Sequence, residues 1–269
     1  MRKLVLIHGF LGHYDMWNEI LPETDAEIFT PQLAGHGNHH LFEHPSIESY
    51  ARNVLQQIQF DPEDELELVG HSMGGYVALE IAKLFPLNVE KLALFHSTAQ
   101  ADSELKKQDR LRAMEAAKEH QALYAANLID GLFFEPQLHR EDISIQLKKI
   151  AAMQAENTIQ ALQAIRDRED SVAFLKNQVF PIWYFHGMQD NVLQTDRMSL
   201  EWNELPQALI VRQEQCGHMG HIEQEDAAKK FIEDFCIRFN LTLPHDNSIW
   251  VSSCTFGIQS WVIGNYSFA

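Results

Sequence analysis

Positive charge is scarce in this chain. Its 269 residues hold 21 lysines and arginines against 38 aspartates and glutamates, a formal net charge of −17. That balance argues against nucleic acid or an anionic membrane surface as a partner. Cysteine is scarcer still. Cys216, Cys236 and Cys254 are odd in number and have neither the pairing of a disulfide framework nor the spacing of a metal site, so a reducing, cytoplasmic setting is expected. Long apolar runs are missing too. The first, Leu4 to Ile7, stops at His8 and is too short for the core of a signal peptide. No other reaches the roughly 20 residues of a membrane span. No internal repeat is present. These absences leave a globular protein of ordinary apolar content. Its length suits one large α/β domain, or a core with an insertion.

What is present centres on Leu66-Glu-Leu-Val-Gly-His-Ser-Met-Gly-Gly75. Leu66 to Val69 reads as a buried strand, and Tyr76, Val77, Leu79, Ile81, Ala82 and Leu84 fall at helical spacing. Strand, Gly-x-Ser-x-Gly and helix in succession form the context of a nucleophile elbow. The reversal is so tight that Ser72 is expected in a strained conformation with its hydroxyl exposed. Side chains two residues to either side would collide, and those positions are Gly70 and Gly74. The helix opening at Met73 would aim free N–H groups and the positive end of its dipole at the chemistry.

Leu4 to Ile7 reads as a central strand ending in His8-Gly9-Phe10, which would offer the Phe10 N–H to an oxyanion; His8 itself is expected to prop that loop. A short helix over Tyr14–Leu21, a strand over Ala26–Thr30, and a helix from Ile47 with Ser46 as N-cap follow. His36, His39, His40 and His44 make a histidine-rich tract without Cys or Asp partners, read as a loop near the site mouth with no metal. After a strand over Lys91–His96, strand-like runs vanish between Gln100 and Asn177, and about four helices are expected there as a cap. Phe133, Phe134 and Met153 either roof a substrate pocket or, as is commoner for such residues, pack the cap onto the core, and Arg166 or Arg168 either reaches an acidic substrate or, more often, is salt-bridged or solvated. The sheet resumes over Val179–Phe185 and leads to Asp190, placed after a strand where a triad acid belongs. Cys216-Gly-His-Met-Gly-His-Ile-Glu223 holds two candidate bases. His218, in the glycine-rich loop, is preferred to His221, which opens the last helix.

These residues resemble the α/β-hydrolase fold superfamily. The match runs through His8-Gly9-Phe10, Gly70-His71-Ser72-Met73-Gly74-Gly75, Asp190 and Cys216-Gly217-His218, in the order Ser, Asp, His, over about residues 3 to 239. The resemblance implies a mostly parallel, doubly wound sheet with an inserted helical cap: core 1–99 and 178–240, cap 100–177, and a C-terminal extension 241–269. The cap looks like that of the small, cofactor-free carboxylesterases, enol-lactonases and C–C hydrolases. Two departures stand out: only Met1 to Ile7 precede His8 where relatives carry two further strands, and Gln32 stands where many have aspartate. Asn247 to Ala269 lacks any charged residue and reads as a strand that could close a sheet edge, or as an extension without a folded role.

The expected chemistry uses Ser72 as nucleophile, His218 as base, Asp190 to orient it, and the N–H groups of Phe10 and Met73 as oxyanion hole. No cofactor is required. The first expectation is hydrolysis of a small, fairly apolar ester, lactone or thioester. The second is C–C cleavage or elimination on a carboxylated substrate, resembling the menaquinone-pathway enzyme of this fold. The third is a ligand-binding protein with little turnover.

Overall fold

Alternation within each strand sorts the core onto two faces of one sheet. In strand β1 (Arg2–Ile7), Val5 and Ile7 enter one apolar cluster while Leu4 and Leu6 enter another. The computed structural model describes residues 1–37 and 41–237. After β1 come β2 (Glu27–Phe29), helix α1 (Ile47–Gln57), β3 (Glu65–His71), α2 (Met73–Leu84) and β4 (Val89–Phe95). Next are α3 (Glu104–Asp130), α4 (Arg140–Ile150), α5 (Ala155–Asp167) and α6 (Val172–Lys176). The sheet then resumes with β5 (Ile182–Gly187), α7 (Thr195–Glu204), β6 (Leu209–Gln213), α8 (Gly220–Glu223) and α9 (Glu225–Cys236).

The six strands run in the order β2-β1-β3-β4-β5-β6, and every pairing is parallel. Parallel neighbours need crossovers, and these place helices on both faces. Ile47, Tyr50 and Val54 of α1, Val77 and Ile81 of α2, and Trp202 of α7 cover the Val5 face. Trp17 and Ile20, with Phe231, Ile232 and Phe235 of α9, cover the other. The four helices α3 to α6 sit between β4 and β5, where the sequence placed an inserted cap. A third apolar cluster joins Ala125 and Ile129 of α3 and Ile143 and Ile150 of α4 to Leu11 and Met219, in the loops after β1 and β6. Among the described residues no helix is long and apolar enough to cross a membrane.

Local departures have local causes. Tyr14–Ile20 is a 3-10 helix, without a side-chain cap at His13. Ser46 caps α1 as expected, its Oγ accepting the Ser49 N–H at 3.1 Å. Strand β1 starts before the apolar run because its two charges are neutralised in place. Arg2 donates to Glu67 at 3.0 Å, and Lys3 lies 2.7 Å from Asp64, all four side chains buried. A buried charge survives only when paired in this way. Gln32, at the second departure, accepts the Tyr14 N–H at 3.0 Å and donates to the His36 carbonyl. The expected sheet-edge role of residues 241–269, and the end of the last helix near Phe239, lie outside the described residues.

Helix α2 crosses β3 and β1 at backbone contact. A Cβ on Gly74 would overlap the Ile7 carbonyl, and one on Gly70 would overlap the Gly74 backbone. Backbone cannot yield as a flexible side chain can. Gly74→Ala is therefore expected to destabilise the fold by about 3 kcal/mol or more, read from the urea unfolding midpoint. A midpoint equal to wild type would show that α2 can lift off the sheet without cost.

Candidate active site

Ser72 occupies the turn between β3 and α2 with φ 51° and ψ −116°, a conformation that L-residues avoid. The surroundings enforce it. The Ser72 N–H donates to the Phe95 carbonyl at 3.0 Å, and the Ser97 hydroxyl donates to the Ser72 carbonyl at 2.7 Å. Both ends of the residue are thus pinned to the chain leaving β4. The hydroxyl faces a cavity also lined by Phe10, Leu11, Leu132, His218 and Met219. Met73 is the first residue of α2, so its N–H has no partner within the helix. Phe10 lies on the cavity wall in the loop that follows β1.

That loop is propped by His8, which is fully buried. Its Nε2 accepts the Leu33 N–H at 2.9 Å, so Nδ1 carries the proton and donates to the Gly9 carbonyl at 2.8 Å. Burial, reinforced by nearby His36, holds its pKa well below the usual imidazole range. His8 serves geometry, as expected.

His218 is held at three points. Its N–H donates to the Leu132 carbonyl at 2.7 Å, its carbonyl accepts from His71 Nε2 at 2.9 Å, and its Nδ1 lies 2.7 Å from Asp190 Oδ2. Asp190 spends Oδ1 on the N–H groups of Val192 (2.8 Å) and Leu193 (2.9 Å). Burial opposes ionisation of Asp190, but the histidine pair outweighs it. The charge and hydrogen bond of His218, with a further bond from His96, hold this carboxyl well below its ordinary range. An ionised Oδ2 facing Nδ1 fixes the tautomer of His218 and leaves its Nε2 as the free acceptor. The Ser72 hydroxyl makes no hydrogen bond to His218 among the described residues; such contacts often close only around substrate.

Three residues of this surrounding were not singled out in the sequence. His96 is buried at φ 45°, its Nδ1 at 3.3 Å from Asp190 Oδ2, so two histidines share one carboxylate oxygen. His96, Asp190 and His218 are also the one cluster among the described residues compact enough to hold a metal ion, with ligand atoms within 4.8 Å of one another. Glu223 accepts the N–H groups of Phe134 (2.7 Å), Gly217 (3.0 Å) and Met219 (3.1 Å). One carboxylate thereby brackets His218 and ties its loop to the segment after α3. Arg110 of α3 lines the Ser72 cavity. None of the three had a motif to mark it.

The residues expected to contact substrate lie elsewhere. None of Phe133, Phe134, Met153, Arg166 and Arg168 lines the Ser72 cavity. Phe133 is buried and stacks on His139 at 5.1 Å, and Met153 packs in the same apolar cluster between α3 and α4. Phe134 faces solvent in part. Arg166 pairs with Asp167 at 2.6 Å. Arg168 pairs with Asp102 at 2.9 Å and lies 4.0 Å from the Tyr76 ring centroid. His221, the second candidate base, does line the cavity, but its Nδ1 is buried without a partner among the described residues. Within the histidine tract His36 is buried against the Ala34 carbonyl and His44 is exposed; His39 and His40 lie outside the described residues.

Two measurements follow from this arrangement. Glu223→Ala strands three N–H groups around His218 and is expected to cost about 1.5–3 kcal/mol of stability, with Glu223→Gln restoring part of it. Equal unfolding midpoints for all three proteins would show that the bracket carries no weight. Acid should also unfold the protein early. Burial lowers His36 and His186 to about 4 and His221 to about 3, and lowers His8, His71 and His96 as well. Between the unfolded value near 6.5 and these lower folded values, the unfolded chain binds more protons. Stability is complete above about pH 6.5 and falls as pH drops, by about 1.4 kcal/mol at pH 5.5 for each of His36, His186 and His221, and in the same direction for the others. Thermal midpoints that stay flat from pH 7 to 5 would contradict this.

The profile of the alpha/beta hydrolase family matches residues 4–232. A pimeloyl-(acyl-carrier protein) methyl ester esterase of Aromatoleum aromaticum is 26% identical over 260 residues, covering 86% of this chain and 96% of that protein. A protein of the same name from Neisseria meningitidis serogroup B is 25% identical over 244 residues, covering 87% and 93%. Among solved structures, an esterase from Thermogutta terrifontis aligns with a TM-score of 0.77 at 24% identity, covering 87% of this chain and 89% of that one. The enol-lactonase of Burkholderia xenovorans aligns at 0.76 and 17%, covering 87% and 90%. At such identities the structural likeness is one of fold. With the profile running through all six strands and the loops that hold Ser72, Asp190 and His218, the chain belongs to the alpha/beta hydrolase family.

Proposed function

We propose that the protein is a serine hydrolase that cleaves a small, largely apolar carboxylic ester, lactone or thioester through an acyl-serine intermediate. One observation carries the reading: Ser72 and His218 open onto a single cavity walled by Leu11, Leu128, Ile129 and Leu132, while His218 Nδ1 is held 2.7 Å from a buried, ionised Asp190. Relatives whose names describe ester hydrolysis support it.

In this reading His218 Nε2 takes the Ser72 proton as Oγ attacks the carbonyl carbon, and Asp190 stabilises the imidazolium. The tetrahedral oxyanion rests against the N–H groups of Met73 and Phe10. His218 returns the proton to the departing alcohol or thiol. A water, deprotonated by the same imidazole, then releases the acid and restores Ser72. The strained Ser72 backbone keeps Oγ clear of the turn, so little reorganisation precedes attack. The C–C and elimination reading gave Arg166 or Arg168 an acid-binding role; their contacts with Asp167 and Asp102 do not support it.

Release of p-nitrophenol from acyl esters of increasing chain length tests the proposal. Wild type is expected to turn over esters with an optimum at one length, and Ser72→Ala to lose roughly 10⁶-fold in kcat. His218→Ala should lose as much, and Asp190→Asn roughly 10⁴-fold. Full activity in Ser72→Ala would sink the assignment.

A further inference from the structure

The Ser72 cavity holds one permanent charge. Among the described residues lining it, Arg110 is the only lysine, arginine, aspartate or glutamate. The rest of the wall is apolar, apart from imidazoles, Ser72, Tyr76 and Gln146. A lone guanidinium on such a wall is costly unless something neutralises it.

The protein does so only in part. Arg110 Nε lies 3.1 Å from Asp102 Oδ2, and Asp102 is nearly inaccessible, with a side-chain exposure of 1%. The same carboxylate also serves Arg168, whose guanidinium lies 2.9 Å from Oδ1. Asp102 therefore divides one negative charge between two arginines. Burial opposes ionisation of Asp102, but the charges and hydrogen bonds of Arg168 and Arg110 outweigh it and hold its carboxyl below the ordinary range. No other acid among the described residues pairs with Arg110. Asp170 spends its oxygens on the N–H groups of Ala101 and Val172.

Further positive charge stands close by. Lys106, one turn before Arg110 on α3, donates to the Val192 carbonyl at 3.0 Å and has no carboxylate partner among the described residues. Arg197 of α7 likewise has none, and shares a small recess with Lys106, Asp102 and Arg168. Burial lowers the Lys106 ammonium, and Arg197, Arg110 and Arg168 lower it further against the pull of Asp102. In a chain of net charge −17, this corner is a local surplus of cations, open to substrate only through Arg110.

We infer that Arg110 forms an anion subsite of the Ser72 cavity, and that the substrate carries a carboxylate separated from its scissile ester by an apolar spacer. The deduction rests on the ester hydrolysis proposed above and specifies its substrate class. With Nε committed to Asp102, Arg110 presents its two terminal nitrogens, the edge that meets a carboxylate through two parallel bonds. A single-charge carboxylate matches the charge left over at Arg110. The apolar wall from Leu128 to Leu132 receives the spacer. Asp102 and Arg168 act as the backing that fixes the guanidinium plane.

The test pairs mono-p-nitrophenyl esters of dicarboxylic acids, succinate to suberate, with p-nitrophenyl esters of monocarboxylic acids of equal length. Wild type is expected to favour the charged ester at least tenfold in kcat/KM at one spacer length, mostly through KM, and less at high salt. In Arg110→Gln that ratio should approach one, and Arg110→Lys should keep part of it. A wild-type ratio near one, or an unchanged ratio in Arg110→Gln, overturns the subsite while leaving ester hydrolysis standing. Calorimetric binding of adipate supplies a readout without turnover, expected to weaken at least tenfold in Arg110→Gln. If no ester is cleaved yet adipate binds through Arg110, the hydrolysis reading fails and the subsite remains. Hexyl phosphate binding more tightly than adipate would overturn the choice of carboxylate. Should Arg110→Gln not fold, Arg110→Lys, which keeps a cation beside Asp102, carries both measurements.

Discussion

Everything at the candidate site hangs on how closely α2 approaches the sheet. The helix leaves β3 through a turn that admits no Cβ at Gly70 or Gly74, because Gly74 meets the Ile7 carbonyl at backbone contact. That contact fixes the start of α2 over the ends of β1 and β3. It forces Ser72 into a positive-φ conformation and holds Phe10, in the loop after β1, beside the same cavity. Ser97, at the end of β4, locks the turn through the Ser72 carbonyl. Three neighbouring strands thus contribute to a single strained residue, and the cost of that strain is carried by the apolar packing of α2.

The electrostatics of the site depend on exclusion of water. His71, His96 and His221 crowd around His218 while His8 props the loop after β1, and all four are buried and held towards the neutral form. A neutral imidazole can donate one bond and accept another, and the loops use two of them as directional struts: His8 between Gly9 and Leu33, His71 onto the His218 carbonyl. The one ionised group in their midst is Asp190. Two backbone N–H groups and two histidines satisfy it, so its charge acts on His218 undiluted by solvent. The same design makes acid a general threat to the fold, since each strut must stay unprotonated.

Helices α3 to α6 complete the cavity from the other side, and two carboxylates hold their segments in place. Glu223 ties the Phe134 N–H to the loop on either side of His218. Asp102 ties Arg110 of α3 to Arg168 at the end of α5. The first brackets His218. The second backs Arg110 on the cavity wall.

Much of this was legible in the chain itself. The strand, Gly-x-Ser-x-Gly and helix succession located Ser72 because a turn of that tightness tolerates few sequences. The unbroken apolar run from Leu4 to Ile7 and the loss of strand runs after Gln100 pointed to a buried sheet with a helical insertion. These are local, periodic signals, and local sterics suffice to write them. The arginines could not be told apart for the opposite reason. Arg166, Arg168 and Arg110 are equivalent as sequence, each a cation on a helix-rich segment. Only the packed structure commits Arg166 to Asp167, commits Arg168 to Asp102 and Tyr76, and leaves Arg110 on the cavity wall. Glu223 and His96 escaped notice in the same way, because what they do depends on partners brought near by other strands and helices. The sequence by itself determined the sheet, the elbow and the order of its polar residues, through periodicity and backbone sterics. The tertiary structure alone decided which charges meet, because a carboxylate has no preferred partner until packing removes water from all but one.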